Sequence, residues 1–306
     1  MSEPRSDVPT VNRWRAVLAR ARNPRQRLEA VLEDPAAAVL VPQIAPEEFY
    51  YLVRAVGVAD VGELLRLASP DQIRTCLDLE AWDGDRVSIE RLLPWFEALE
   101  QLGPRQLGRV VRACDIEFLS FVFGAATNIY ECDVADPRER PGSHPAMETP
   151  DGYFVVEFPG AEREWGRVLE RFLTALYAAD PDLGRNMLLE AHAGLPSELE
   201  EASLRWRTAR MADLGFADPI EALEVYQFLD VKSLQAATRA PKPPRRTEPI
   251  SLPAVFADTL ADETFLGQVL AGIEDAGPLN TLTARLVALL NRVLAADRVN
   301  PSDLDA

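Results

Sequence analysis

Residues 46–49 have the sequence Pro-Glu-Glu-Phe, which predicts the first turn of a helix. Proline has its φ preset for the first helical position, where an N–H group would lack a partner anyway. The acidic or amide residue behind it can accept from the exposed N–H groups and suits the positive end of the helix dipole. The pattern Pro, any residue, Glu or Gln, apolar residue recurs at 70–73, 104–107 and 196–199, with a looser copy at 219–222. We call these segments the proline starts, and their recurrence predicts many short helices packed together.

The apolar residues between the proline starts follow the helical period. Phe49, Leu52, Val53 and Val56 fall on one face, and Gly57 can end that helix. Because the proline starts are unevenly spaced, the chain is not a regular solenoid of fixed period. We predict a mainly α fold, an irregular superhelix of short stacked helices with one small antiparallel β-ribbon.

The predicted ribbon lies near residues 129–158. The run 153–158 (Tyr-Phe-Val-Val-Glu-Phe) is strongly strand-like, and 129–132 is its expected antiparallel partner. The proline-rich residues 133–151 between them predict a loop. Such a ribbon is stable only when it packs on the helices.

The domain organisation follows from composition. Residues 1–238 are predicted to form the helical body with its ribbon, and 239–250 a proline-rich basic linker. Residues 251–306 predict a C-terminal helical segment. Its last residues, 300–306, resemble the first turn of an unfinished helix, so the segment is interpreted either as a frayed end or, preferentially, as truncated.

The net charge, the hydropathy and the cysteine content of the chain disfavour several classes of protein. The 306-residue chain has 32 basic and 49 acidic residues, a net charge of −17, which disfavours binding to nucleic acid or to anionic membranes. The most apolar stretch, 118–126, is far shorter than the roughly 20 residues of a membrane span, which predicts no membrane insertion. No apolar signal segment follows the N-terminus. Three widely spaced cysteines, Cys76, Cys114 and Cys132, argue against a disulfide framework, so we predict a cytoplasmic protein.

Catalytic motifs are sparse. The chain has two histidines, His144 and His192, and none of the common spacings for zinc, phosphate, dinucleotide or nucleophilic sites. The sequence therefore predicts no catalytic residue, no metal and no cofactor.

The densest polar cluster follows the proline start at 196–199. Acidic residues occupy its first turns and arginines its later ones, which matches the helix dipole, and Glu201 and Arg205 have ion-pair spacing. Ser197 and Glu200 have the spacing of a capping box. The arginines beside the tryptophan would bind an anionic group, whereas the alternative is a surface helix with ion pairs. The candidate binding residues are Glu198, Glu201, Arg205, Trp206, Arg207 and Arg210.

These residues carry a resemblance. Residues 48–53 (Glu-Phe-Tyr-Tyr-Leu-Val), 82–85 (Trp-Asp-Gly-Asp) and above all the block 195–226 resemble an uncharacterised bacterial family known only as a domain of unknown function. The resemblance covers most of residues 40–300 and implies no activity and no cofactor. Members of that family run on past the end of this chain, which supports the interpretation as a truncated segment. Residues 58–125 are more weakly similar to the helical repeats of magnesium-transporter N-terminal domains and of flagellar motor switch proteins.

The leading hypothesis is a cytoplasmic protein-interaction or scaffold module whose partner is another protein. The alternative is a regulatory domain that binds a small anion or nucleotide through Arg205, Arg207 and Arg210. A third possibility, an enzyme, requires Glu198, Glu201 and Asp213 to converge in one pocket.

Overall fold

The computed structural model of the chain describes residues 24–132, 144–159, 165–214, 216, 219–228 and 276–299. The chain divides into two compact units, Met1–Trp206 and Arg207–Ala306, each of which is described by itself. The predicted linker at 239–250 and the chain end at 300–306 lie outside the described residues.

The first unit is mostly helical, as predicted. The boundary between the units falls inside its last helix, α11. The helices are α1 (Pro24–Leu32), α2 (Ala37–Leu40), α3 (Pro46–Val56), α4 (Gly62–Leu67), α5 (Pro70–Glu80), α6 (Ile89–Glu100), α7 (Pro104–Ala113), α8 (Ile116–Ala126), α9 (Trp165–Ala179), α10 (Pro181–Ala193) and α11 (Pro196–Asp213).

Every proline start begins a helix, which confirms the pattern that predicted them. The four full copies begin α3, α5, α7 and α11, and the looser copy begins a short helix of the second unit, α12 (Pro219–Ala222). Pro94 lies inside α6, which continues through it from Ile89 to Glu100.

The Gln72 side chain in the second proline start braces α5 against the chain that precedes α3. Its Nε2 donates to the carbonyls of Val41 and Ile44, each at 2.8 Å, and the residue is 1% exposed. Its Oε1 accepts from the Ser69 N–H at 2.8 Å, and the Ser69 hydroxyl accepts from the Gln72 N–H at 3.2 Å. The capping box is therefore complete, and the two amide hydrogens bond to two carbonyls of the connection ahead of α3, of which that of Val41 also accepts from the Ile44 N–H.

Gln106, in the third proline start, repeats the brace in a weaker form. Its Nε2 donates to the Ala68 carbonyl at 3.0 Å, and the side chain is half-buried. Ala68 lies just ahead of the second proline start, as Ile44 lies just ahead of the first. Each glutamine thus ties its helix to the connection in front of the preceding proline start.

The core of the first unit lies where these helices pack on one another. α3 packs on α5, α5 on α7, and α8 on α10, while α9 contacts α6, α7 and α10. Phe172 on α9 is central, with its ring 4.6 Å from that of Phe96 and 6.1 Å from that of Phe123. All three rings are buried, so a single aromatic cluster joins α6, α8 and α9.

The described residues contain two small antiparallel sheets. Strands β1 (Trp82–Asp83) and β2 (Arg86–Val87) form a hairpin around Gly84, whose φ is 63°. These two short strands were not predicted from the sequence. The larger sheet has the order β3-β5-β4, with β3 (Asn128–Glu131), β4 (Ala146–Glu148) and β5 (Phe154–Glu157).

The larger sheet confirms the predicted ribbon and adds one strand. β3 pairs with β5 from Asn128↔Glu157 to Glu131↔Phe154, as expected. β4 pairs on the other side of β5, within the stretch predicted to be loop. Ala-Met-Glu lacks β-branched and aromatic residues, so its extended form comes from pairing with β5 and not from local preference.

The turn between β4 and β5 is held on α10 by a polar cluster. The Asp151 carboxylate accepts from the Thr149 hydroxyl at 2.6 Å and from Arg185 Nε at 2.8 Å, and the Arg185 guanidinium lies 4.3 Å from the Tyr153 ring centre. Burial alone would raise the pKa of Asp151, but these hydrogen bonds and one from the Tyr153 N–H together lower that pKa below its usual range. The ionised carboxylate is therefore a structural anchor.

The second unit is described only in part. α12 continues into a 3₁₀ turn at Leu223–Tyr226, and both pack against α13 (Ala276–Ala296). The Asn291 amide donates to the Leu214 carbonyl at 3.2 Å in a buried contact. The Tyr226 hydroxyl donates to Asp297 Oδ1 at 2.7 Å, just beyond the end of α13.

We expect Gln72→Glu to destabilise the first unit strongly. The change keeps the oxygen that caps Ser69, but it removes both donors and places a carboxylate against two buried carbonyls, a loss on the order of 3 kcal/mol in the free energy of unfolding. Gln106→Glu is the matched control, since it removes one half-buried hydrogen bond and should cost about 1 kcal/mol. Urea unfolding followed by circular dichroism measures both, and equal losses would contradict the bracing role of Gln72.

We expect Gly184→Ala to destabilise the packing of α9 on α10. An added Cβ would lie 2.9 Å from two ring atoms of the buried Tyr177, which leaves the ring no room to move aside. Overpacking of this kind costs about 1–3 kcal/mol. Gly108→Ala is the control, because its Cβ would make ordinary contacts at 3.5 Å or more and should stabilise α7 slightly. A higher melting temperature for both variants would contradict the close approach at Gly184.

Candidate functional site

The six candidate residues on α11 lie on different sides of the helix. Glu198, Glu201 and Arg205 are exposed on one side. Trp206 is 48% exposed, and the guanidinium carbon of Arg205 lies 6.0 Å from its ring centre. This distance is at the outer limit of a cation–π contact.

Arg207 and Arg210 lie on the other side of α11. At 100° per residue they follow the same stripe as the buried Leu199 and Ser203, and both are half-buried. Each makes an interaction within the protein. The structure therefore brings Arg207 and Arg210 to one face, as expected, but it places Arg205 on another.

The first turn of α11 differs from the expected capping box. α11 begins at Pro196, so Ser197 lies inside the helix and not at the N-cap. The Glu200 carboxylate instead accepts from the Val87 N–H and from Arg86 Nη1, both at 3.4 Å. Glu200 thus holds the β1–β2 hairpin on α11, a long-range role that local spacing could not indicate.

The three carboxylates required by the enzyme hypothesis do not converge. Glu198, Glu201 and Asp213 are all exposed along one helix, and the first and last lie about 22 Å apart at 1.5 Å per residue.

A second polar group lies buried between α3 and α5. Glu80, 6% exposed, accepts from the Tyr50 hydroxyl at 3.1 Å and from Arg54 Nη1 at 3.2 Å. Burial, followed by the charge of Glu80, raises the pKa of Tyr50 and that of the nearby Cys76 thiol well above their usual ranges. Both groups stay protonated, which makes Cys76 a small core residue and not a nucleophile.

A third polar group lies on the larger sheet. Glu157, 2% exposed, accepts from Asn128 Nδ2 at 2.7 Å, from the Tyr130 hydroxyl at 3.1 Å and from the His144 N–H at 3.3 Å. Burial and this carboxylate raise the pKa of Tyr130. The donors satisfy Glu157 as structural partners and tie β3 and the entry to β4 onto β5.

In the part of the chain that the structure describes, no group of three or more His, Cys, Asp or Glu side chains is arranged to hold a metal ion. His192 lies 3.8 Å from Glu131 in a half-exposed pair.

The second unit exposes large apolar side chains on its surface. Within residues 219–228, which we call the docking segment, four large apolar side chains are exposed: Ile220 at 79%, Leu223 at 53%, Tyr226 at 57% and Phe228 at 94%. A concentration of this kind in ten residues marks an interaction surface more often than a chance arrangement.

The docking segment is held in place by its contacts with α13 and with Asp297. Ala222 is fully buried and Val225 is half-buried. The Tyr226–Asp297 hydrogen bond and an Arg292–Glu224 ion pair at 4.0 Å join the segment to the α13 side of the unit. The exposed apolar side chains are thus presented by an ordered turn.

Sequence reasoning missed this segment as a site. The positions 220, 223 and 226 follow a helical face, a pattern that predicts an inward orientation. The structure turns the small Ala222 inward and leaves the larger residues outside. The available signal was the high density of large apolar residues over so short a stretch.

One further property concerns membranes. Within the described ranges, no helix is both long enough and apolar enough to cross a bilayer.

Comparison with known proteins identifies one relationship. A family model described as "Family of unknown function (DUF6178)" matches residues 9–306, nearly the whole chain. No curated protein and no solved structure matches the chain.

We expect Arg207→Ala/Arg210→Ala to lower the melting temperature. Both side chains are half-buried and make contacts within the protein, and hydrogen bonds to charged groups contribute about 1.5–3 kcal/mol. Arg205→Ala is the control, since this exposed side chain should be nearly neutral. Differential scanning fluorimetry with and without phosphate and nucleotides measures both effects. An unchanged melting temperature, together with loss of a ligand-induced increase, would favour the anion-binding hypothesis instead.

Proposed function

The chain belongs to the family of unknown function DUF6178, and on this premise we propose that it is a protein-interaction module that binds a partner protein through the docking segment. The observation that carries the proposal is the exposure of Ile220, Leu223, Tyr226 and Phe228 within ten residues. Aromatic and large aliphatic side chains are the usual anchors at the centre of protein interfaces.

The order of the docking segment supports the same proposal. Because Tyr226 is bonded to Asp297 and Ala222 is buried, the turn is already in a fixed conformation before any partner arrives. A preorganised surface loses less conformational entropy on binding, so more of the apolar contact energy appears as affinity.

Three further observations are consistent with the proposed protein-interaction role. The buried carboxylates of Glu80 and Glu157 are each occupied by donors from neighbouring elements, which is the behaviour of structural groups. The net charge of −17 disfavours nucleic acid and anionic membranes as the partner. A cytoplasmic location fits three cysteines that are odd in number and widely spaced in the sequence.

The test replaces Ile220, Leu223 and Phe228 with Ser in one variant. All three side chains are more than half exposed, so the melting temperature should change little, while partner binding should fall at least tenfold if they are anchors. Tyr226 stays in place because it holds the turn.

The matched control replaces three exposed apolar residues of the first unit, Val39, Leu189 and Leu195, with Ser. Quantitative crosslinking and mass spectrometry in native cells compare the proteins retained by the wild type and by both variants. Proteins lost from the docking-segment variant but kept by the control support the proposal, whereas an identical set for all three chains would overturn it.

A further inference from the structure

The docking segment has an acidic side as well as an apolar one. Glu221 and Glu224 are both exposed and are three residues apart, so they share one side of the turn. Ile220 and Leu223, also three residues apart, lie one position before them. An apolar ridge and an acidic ridge therefore run next to each other.

The acidic ridge keeps capacity for a partner cation. Arg292 approaches the Glu224 carboxylate at 4.0 Å, the outer limit of an ion pair, and the Glu224 side chain is 61% exposed. A carboxylate has about four acceptor positions, so this contact leaves room for others. Asp297 adds negative charge beside the segment and accepts from the Tyr226 hydroxyl.

We infer that the partner contributes a basic amphipathic segment, in which large apolar side chains alternate with Lys or Arg at helical spacing. The inference rests on the proposed function. The apolar side chains contact Ile220, Leu223 and Phe228, and the basic side chains pair with Glu221 and Glu224. Such complementarity selects the partner and speeds its association more than it adds to affinity.

Other occupants meet a charge penalty at the same ridge. A second copy of the chain in a two-fold interface centred on the docking segment would bring Glu221 and Glu224 close to their own equivalents. An anionic lipid surface would also be repelled, because membrane-surface segments carry Lys and Arg beside their apolar residues. A cationic, apolar protein segment satisfies both ridges at once.

The experiment measures binding of two model peptides to the full chain at physiological salt by fluorescence anisotropy. One peptide contains only Leu and Lys with a helical apolar face, and the other has Glu in place of every Lys. We expect the Leu/Lys peptide to bind and the Leu/Glu peptide not to bind. Glu221→Lys/Glu224→Lys should weaken the Leu/Lys peptide about tenfold and allow the Leu/Glu peptide to bind.

A charge-matched control separates the ridge from the general negative charge. Glu29→Lys/Glu33→Lys makes the same change in net charge at two exposed positions of the first unit and should leave both affinities nearly unchanged. Equal weakening by both charge-reversal pairs, or no binding of the Leu/Lys peptide to the wild type, would overturn the inference.

The apolar variant distinguishes this inference from the proposed function. Loss of Leu/Lys binding with Ile220, Leu223 and Phe228 replaced by Ser, but not with the charge reversal, would overturn the basic partner and leave the docking segment standing. Wild-type binding by the apolar variant, together with an unchanged set of cellular partners, would overturn both.

Discussion

The fold of the first unit depends on the burial of the Gln72 amide. A chain built from short helices has many helix ends, and every end leaves backbone groups without an intrahelical partner. Gln72 bonds to three backbone groups at once: the Ser69 N–H and the carbonyls of Val41 and Ile44. The same side chain caps the N-terminus of α5 and holds the connection ahead of α3. Helix capping and tertiary packing therefore depend on one residue.

The same physical requirement explains the polar groups that resemble active sites. Glu80 on α5 accepts from two side chains of α3, and Glu157 on the larger sheet accepts from β3 and from the entry to β4. Asp151 accepts from its own turn and from α10. A buried carboxylate without such donors would be strongly destabilising. Each of the three therefore joins neighbouring elements of the fold, and none of them is the candidate site.

The docking segment differs from these buried carboxylates because most of its large side chains are exposed. The small Ala222 is fully buried inside the second unit, while the Tyr226 hydroxyl bonds to Asp297. The larger side chains of the segment are more than half exposed. A surface of large apolar groups on an ordered turn, with Glu221 and Glu224 beside it, favours recognition of another protein over a purely structural role.

The sequence by itself determined where helices begin, because Pro-led first turns act through φ and capping within four residues. It also determined the pairing of 129–132 with 153–158, since β-branched and aromatic residues mark those strands locally. Only the tertiary structure decided that β4 forms, that Gln72 reaches Val41, and that Glu200 holds Val87. It also decided which side of 219–228 is covered and which arginines of α11 are half-buried. The physical reason is that periodicity identifies a face of a helix, whereas exposure depends on what packs against that face from distant parts of the chain.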